Sequence, residues 1–206
     1  MTNELYIKCI VVKSTGTVSV EVCDRKENEL ALIKANQEFD VHLKGAAIQI
    51  LMLPYGVDDM FISPENWTWY YSDELDWYDD ELKAKVLKKA EQKARSCILI
   101  NKDIPLLING AYWVYNCRIG ELCGTAVLKR LKSGSVGSMS GCAQINDLYG
   151  DSKVEKMHGH SKINIMRDTS KVENMYGHAT VDYIFDDAQI VSKQDAAKIE
   201  NTVTSQ

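Results

Sequence analysis

No apolar run in this sequence approaches the length of a membrane span, so no membrane-crossing helix is expected. After Met1 to Glu4, the run Leu5-Tyr6-Ile7-Lys8-Cys9-Ile10 has neither a basic lead nor a long apolar stretch. It reads as a first strand, not a signal peptide. Positive charge is in short supply: 24 Lys and Arg face 29 Asp and Glu, a net charge of -5. That balance argues against nonspecific attraction to nucleic acid. None of the six cysteines (Cys9, Cys23, Cys97, Cys117, Cys123, Cys142) forms a C-x-x-C pair, and their spacing fits no zinc or disulfide framework. They read as reduced thiols of a cytoplasmic protein, with Cys117 and Cys123 the pair that could join in an oxidising compartment. Catalytic signatures are missing too: there is no G-x-S-x-G, no Walker loop and no H-E-x-x-H. His42, in Asp40-Val41-His42-Leu43, sits in a strand pattern, and Asp79 and Asp80 read as helix-start residues. No catalytic residue and no cofactor is assigned.

What the sequence does have is a repeat. Val136, Ile145, Val154, Ile163, Val172, Val181 and Ile190 each lie nine positions after the last. Met139, Leu148, Met157, Met166, Met175 and Ile184 follow three residues behind, and Ala143, Ser152, Ser161, Ser170, Ala179 and Ala188 form a series of small residues. The consensus is V-x-x-M-Y-G-x-S-x. Fainter units precede it: Ile119 to Val127 with Leu122, Gly124 and Ala126, then Leu128 to Ser135 with one residue deleted.

Nine is not a helical period. The small residue and the next aliphatic are two apart, so both face inward on a short strand, as in Ser152-Lys153-Val154. Lys153 and Glu155 then face out, and Met157 fills the corner with its adaptable thioether. Gly141, Gly150, Gly159 and Gly177 permit the turn. A narrow closed coil needs two such units, so the pattern predicts a two-sided parallel β-solenoid of 18-residue coils over residues 119–191. The calcium signature G-G-x-G-x-D is absent, and Asp151, Asp168, Asp186 and Asp187 are too scattered to rebuild it. A six-residue repeat would need aliphatics at 160 and 178, where the sequence has His160 and His178.

Residues 1–118 read as a β-rich α+β cap for the open end of the solenoid. Strands are expected at Leu5–Val12, Val18–Val22, Phe39–Leu43, Ala47–Leu53, Ile104–Ile108 and Tyr112–Ile119, with Ser14-Thr15-Gly16 as a turn. One helix is expected over 79–98, where Leu82, Val86, Ala90 and Ala94 recur at helical spacing. Acids open it and Lys88, Lys89, Lys93 and Arg95 follow, which complements the helix dipole. Residues 192–206 read as a tail. The fold class is therefore mostly β, α+β overall.

Two constellations stand out as sites. From Gly56 to Glu81 there are nine acids (Asp58, Asp59, Glu65, Asp73, Glu74, Asp76, Asp79, Asp80, Glu81) and no Lys or Arg. Trp67, Trp69 and Trp77 lie among them, with Tyr70, Tyr71 and Tyr78. Aromatics supply contact area and acids supply steering, so Trp67, Trp69, Tyr70, Tyr71, Asp73, Glu74, Asp76 and Trp77 are the expected contacts for a basic partner. The bland alternative packs the rings into the cap and leaves the acids as a solvated loop. Elsewhere, Cys142, His160 and His178 are spaced by 18 and form a column, with His158 adjacent. Stacked imidazoles can bind a transition metal, but such a site needs more converging ligands, and no metal is expected.

The runs Met157-His158-Gly159-His160-Ser161-Lys162-Ile163 and Met175-Tyr176-Gly177-His178-Ala179-Thr180-Val181 resemble a tandem nonapeptide-repeat type of bacterial and bacteriophage proteins without assigned activity. The resemblance covers about a third of the chain. It implies a solenoid and a mobile-element origin, and it transfers no functional residue. Function is then expected to be non-enzymatic protein binding, such as phage inhibition of a host defence complex in the host cytoplasm. The expected partner is a protein with a basic surface, with no direct nucleic-acid or membrane contact. The solenoid would serve as platform or homo-oligomer contact. An enzyme with its site where cap meets solenoid, or a structural part of a virion or appendage, are the alternatives.

Overall fold

A computed structural model describes residues 5–24, 29–39, 45–56, 58–73 and 76–203. The chain divides into two compact units, Met1–Ser96 and Cys97–Gln206. It is mostly β, with an antiparallel sheet and two α-helices ahead of a parallel β-solenoid.

The first unit holds β1 (Leu5–Val12), β2 (Thr17–Asp24), α1 (Glu29–Phe39), β3 (Ala47–Leu53), β4 (Thr68–Tyr71) and α2 (Asp80–Cys97). The sheet runs β2-β1-β3-β4, antiparallel throughout. Gly16, at φ 58, makes the first hairpin and donates its N–H to Val12 O at 2.8 Å. Alternation assigns the faces. Leu5, Ile7, Cys9 and Val11 are fully buried on one face, beside Ile48, Ile50 and Met52 of β3. On the other face Leu51 and Leu53 pack with Leu32 of α1, Tyr6 and Tyr70. Both faces of β3 are therefore covered, which is why its whole length is apolar apart from Gln49. Gln49 is satisfied by Asn36 of α1, Nε2 to Oδ1 at 2.9 Å.

The expected strands at Leu5–Val12 and Ala47–Leu53 and the helix beginning near residue 79 are all present. Helix α1 is a correction to the single helix expected. Its buried stripe is only Leu32 and Asn36, while Leu30 is 78% exposed, so no apolar periodicity marked it. Phe39 closes that helix and does not open a strand. The rest of the expected strand, including His42, lies outside the described residues.

The second unit is a solenoid of about six coils between two parallel sheets. One sheet contains β6 (Asp103–Leu107), β8 (Arg118–Leu122), β10 (Ser135–Met139), β12 (Lys153–Met157), β14 (Lys171–Met175) and β16 (Gln189–Lys193). The other contains β5 (Ile98–Ile100), β7 (Ala111–Tyr115), β9 (Val127–Lys132), β11 (Gln144–Tyr149), β13 (Lys162–Met166), β15 (Thr180–Phe185) and β17 (Lys198–Val203). Equivalent residues sit side by side: Val136 beside Val154, Val154 beside Val172, Met139 beside Met157 and Met157 beside Met175. Val136, Ile145, Val154, Ile163, Val172 and Val181 are all fully buried, as are Ser152, Ser161 and Ser170. At Ser152 and Ser161 the inward methyl is replaced by a hydroxyl that binds the turn, while the buried Ser170 hydroxyl has no hydrogen-bond partner among the described residues. Ser161 Oγ donates to His158 O at 2.7 Å, and Ser152 Oγ lies 2.6 Å from Tyr149 O. Glu155 and Lys171 are exposed as expected. Lys153 and Glu173 are only half exposed, because they pair across adjacent coils at 2.9 Å.

The coiled strands begin at Ile98 and run to Val203, beyond the 119–191 read from the repeat. At the start the coils shorten. Ile104 pairs with Ile119 fifteen residues on, Ile119 with Val136 seventeen on, and Val136 with Val154 eighteen on. A nine-residue ruler loses phase there. At the other end Ile199 does continue the aliphatic series and pairs with Val181, so part of the expected tail is another strand.

The turns form two columns, not one. Gly124, Gly141, Gly159 and Gly177 share one corner, and the next coil places Asp195 there. Asn101, Asn116, Ser133, Gly150, Asp168 and Asp186 share the other. Gly150 therefore belongs with the aspartates. All are left-handed, a conformation in which Asn and Asp are the least disfavoured side chains after glycine. Here Asp adds a bond: Asp168 Oδ2 accepts the Gly150 N–H at 2.9 Å and Asp186 Oδ2 the Asp168 N–H at 3.2 Å. Each carboxylate thus ties its coil to the one before.

Candidate functional site

The extended segment from Trp67 through β4 carries aromatics at every second position. Side chains two apart share a face, so Trp67, Trp69 and Tyr71 line up together, and Tyr70 points the other way. Register confirms it: Trp69 lies opposite Met52 and Tyr71 opposite Ile50, on the face away from α1. Helix α2 presents Asp80, Lys83, Ala84 and Leu87 to them, at i, i+3, i+4 and i+7. Between the two walls, with Glu65 at one end, lies a cleft of about 450 Å³.

The walls are braced. Trp67 is only 4% exposed and donates Nε1–H to Asp59 O at 2.9 Å. Trp69 is half-buried and donates to Pro64 O at 2.9 Å. Pro64 and Glu65 sit in a short 3-10 turn capped by Ser63, whose Oγ also donates to Glu91 Oε1 of α2 at 3.0 Å. Asp79 caps α2, accepting the Leu82 N–H at 2.9 Å. Asp80 and Glu81 then lie in its first turn, where the helix dipole favours carboxylates. The rings are held before any ligand arrives, which lowers the entropy cost of binding.

The expected contacts separate accordingly. Trp67, Trp69 and Tyr71 meet in the cleft. Trp67 is too buried to be a free surface anchor and forms the floor. Tyr70 packs on the α1 face, its hydroxyl bonded to the Glu29 carboxylate. Trp77 stacks edge-on against Tyr78 at 6.5 Å, and Tyr78 meets Tyr71 at 5.8 Å. Trp77 Nε1 and the Tyr78 hydroxyl are buried without a hydrogen-bond partner among the described residues. Burial pushes the phenols of Tyr78 and Tyr71 above the ordinary tyrosine value. Asp73 is half-buried and Asp76 exposed, and neither lines the cleft. Glu74 lies outside the described residues. Glu65, Asp80, Lys83, Ala84 and Leu87 were not singled out together. The helical spacing of the last four was legible, but their pairing with β4 is a tertiary fact.

The histidine column forms as the 18-residue spacing predicts. His160 and His178 stack at 5.2 Å with planes 6° apart, and His158 stacks on Tyr176 at 5.1 Å. Parallel rings aim their nitrogen lone pairs side by side, not at one point. Among the described residues no group of three His, Cys, Asp or Glu side chains is placed to hold a metal. All six cysteines are free thiols, so Cys117 and Cys123 are not joined. Burial raises the Cys9 thiol to about 12 and raises Cys117 as well.

Several charges on the solenoid are paired between coils. Lys162 meets Asp182 at 2.7 Å, while Arg130 and Arg167 converge on buried Asp147 at 3.3 and 2.6 Å. The cleft carries two carboxylates, Glu65 and Asp80, against the one ammonium of Lys83. No family model, curated protein or solved structure matches the chain. Among the described residues no helix is long and apolar enough to cross a membrane.

Proposed function

We propose that this chain is a non-enzymatic protein-binding module that takes a basic partner through the cleft between β4 and α2. The observation that carries the reading is the cleft itself. Braced Trp69 and Tyr71 offer π faces, and Glu65 and Asp80 offer carboxylates, in a stretch where nine acids have no neighbouring base but those of α2. Cations sit favourably over aromatic faces, and aromatic anchors are the residue class most often found at binding hot spots. The solenoid, whose outward positions mix both signs of charge, serves as scaffold. In its fuller form the reading is a phage or mobile-element inhibitor working in the host cytoplasm, with the acidic surface occupying a basic groove of a defence complex.

The test is affinity for a protein captured from host lysate by the full chain. Trp69→Ala should weaken binding by about 2 kcal/mol, roughly thirtyfold. Reversing Glu65 and Asp80 to lysine should slow association and flatten its salt dependence. If both variants stay folded and bind as the parent does, the cleft is only part of the domain's packing and the reading fails.

A further inference from the structure

The open edge of β4 borders the aromatic cleft. In the sheet order β2-β1-β3-β4, β4 is the last strand, with β3 on one side and no strand on the other among the described residues. The Ser72 N–H bonds back to Gln49 O at 2.9 Å, which fixes which residues face the partner strand. In an antiparallel pair the inward and outward backbone groups alternate. Tyr70 and Thr68 therefore share Ser72's direction toward β3, and the N–H and C=O of Trp69 and Tyr71 point to the open side. These are the same two residues whose rings line the cleft. One pair of residues thus offers main-chain hydrogen bonds at the edge and π faces beside it.

We infer that the ligand is an extended basic segment of a partner protein, added as a fifth strand along β4. The inference rests on the binding-module reading above and deepens it. Main-chain bonds to Trp69 and Tyr71 would give affinity without regard to sequence, and alternate side chains of the added strand would reach the cleft and give specificity. A cationic side chain there meets the Trp69 and Tyr71 rings and the carboxylates of Glu65 and Asp80. Lys83, on the helical wall, stands against two carboxylates, so the cleft keeps an acidic excess. Edge strands are ordinarily guarded by lysine, proline or a bulge. β4 reads Thr-Trp-Tyr-Tyr and carries none of these.

The experiment uses the full chain and a seven-residue peptide of alternating Lys and Val, capped at both ends. Two isomers carry N-methyl groups on alternate backbone amides, one isomer on each set. Only one set can face β4, so that isomer should bind at least about thirtyfold more weakly than the parent while the other stays within about threefold. The parent peptide should slow hydrogen exchange of the Trp69 and Tyr71 amides, and an alternating Glu and Val peptide should bind at least tenfold more weakly (roughly, by charge complementarity). Equal affinities of the two isomers, unprotected Trp69 and Tyr71 amides, equal binding of the acidic peptide, or no binding of the basic one each overturn the edge proposal. The binding-module reading stands or falls separately, on whether Trp69→Ala weakens the captured partner.

Discussion

The two units build β-structure by opposite means. In the solenoid the coils from Val136 onward share one address system: Val172 lies on Val154 and Ile190, Met175 on Met157, and Asp168 reaches back to Gly150. Each coil packs on its neighbours, and outward pairs such as Lys153 with Glu173 and Lys162 with Asp182 join adjacent coils. The first unit has no such economy. Its parts are each used once: Asn36 with Gln49 and the Tyr70 carbonyl, Ser63 with Glu91, and Lys89 of α2 on Val18 O. Repetition gives the coils from Val136 onward one register. Singular contacts let the first unit place two rings, two carboxylates and an open strand edge around one cleft. On the proposed reading, scaffold and site are separated by kind of sequence.

Mutations can break or sharpen this comparison. The largest effect is expected from Val172→Asp, which puts an unpaired charge between two coils and should cost about 4 kcal/mol. Because coils couple only to neighbours, the loss should appear as early melting of the solenoid while tertiary signals from the first unit persist. Glu173→Ala, one residue away, should change the melt far less. Equal melts would mean that the inward register is wrong. Next comes Asp147→Ala. It strips the carboxylate from Arg130, which is 3% exposed, and should cost about 3 kcal/mol by chemical denaturation.

A smaller effect separates the two turn columns. Asp168→Ala loses the bond to the Gly150 N–H and leaves a side chain at φ 58, for about 1–2 kcal/mol. Asp168→Gly loses the bond but relieves the strain, so it should be the milder change. The reverse order would show that strain at this left-handed position does not set the cost there. Smallest is a difference in rate. Exposed Cys142 should alkylate first in the folded protein, while Cys9 and Cys117, buried and with raised thiol values, wait for unfolding. Mass spectrometry of a time course reads the order directly.

Legibility followed the same divide. The inward series and the coil length could be counted from Val136 onward, because burial in a solenoid imposes the same constraint every 18 residues. The 17-residue coil from Ile119 to Val136 was legible as two fainter units with one residue deleted, but the count failed before Ile119, where the 15-residue coil carries Pro105 and Trp113 in place of the consensus. It also stopped one strand early, since Lys193 stands where a Met was expected although Ile199 keeps phase. In the first unit β1, β3 and α2 were readable from local apolar patterning, and α1 was not. The aromatic segment was legible as composition only. That Trp67, Trp69 and Tyr71 share a face follows from the strand period, once the strand is known. That α2 supplies the facing wall does not follow from any local rule.

The most direct test is a hydrogen-exchange footprint of the full chain with its captured partner bound. Separation of scaffold from site predicts slowed exchange confined to residues 63–87, with the Trp69 and Tyr71 amides most affected. Strands β8 to β16 should exchange as in the free chain. A footprint along the solenoid strands, with residues 63–87 unchanged, would contradict the account.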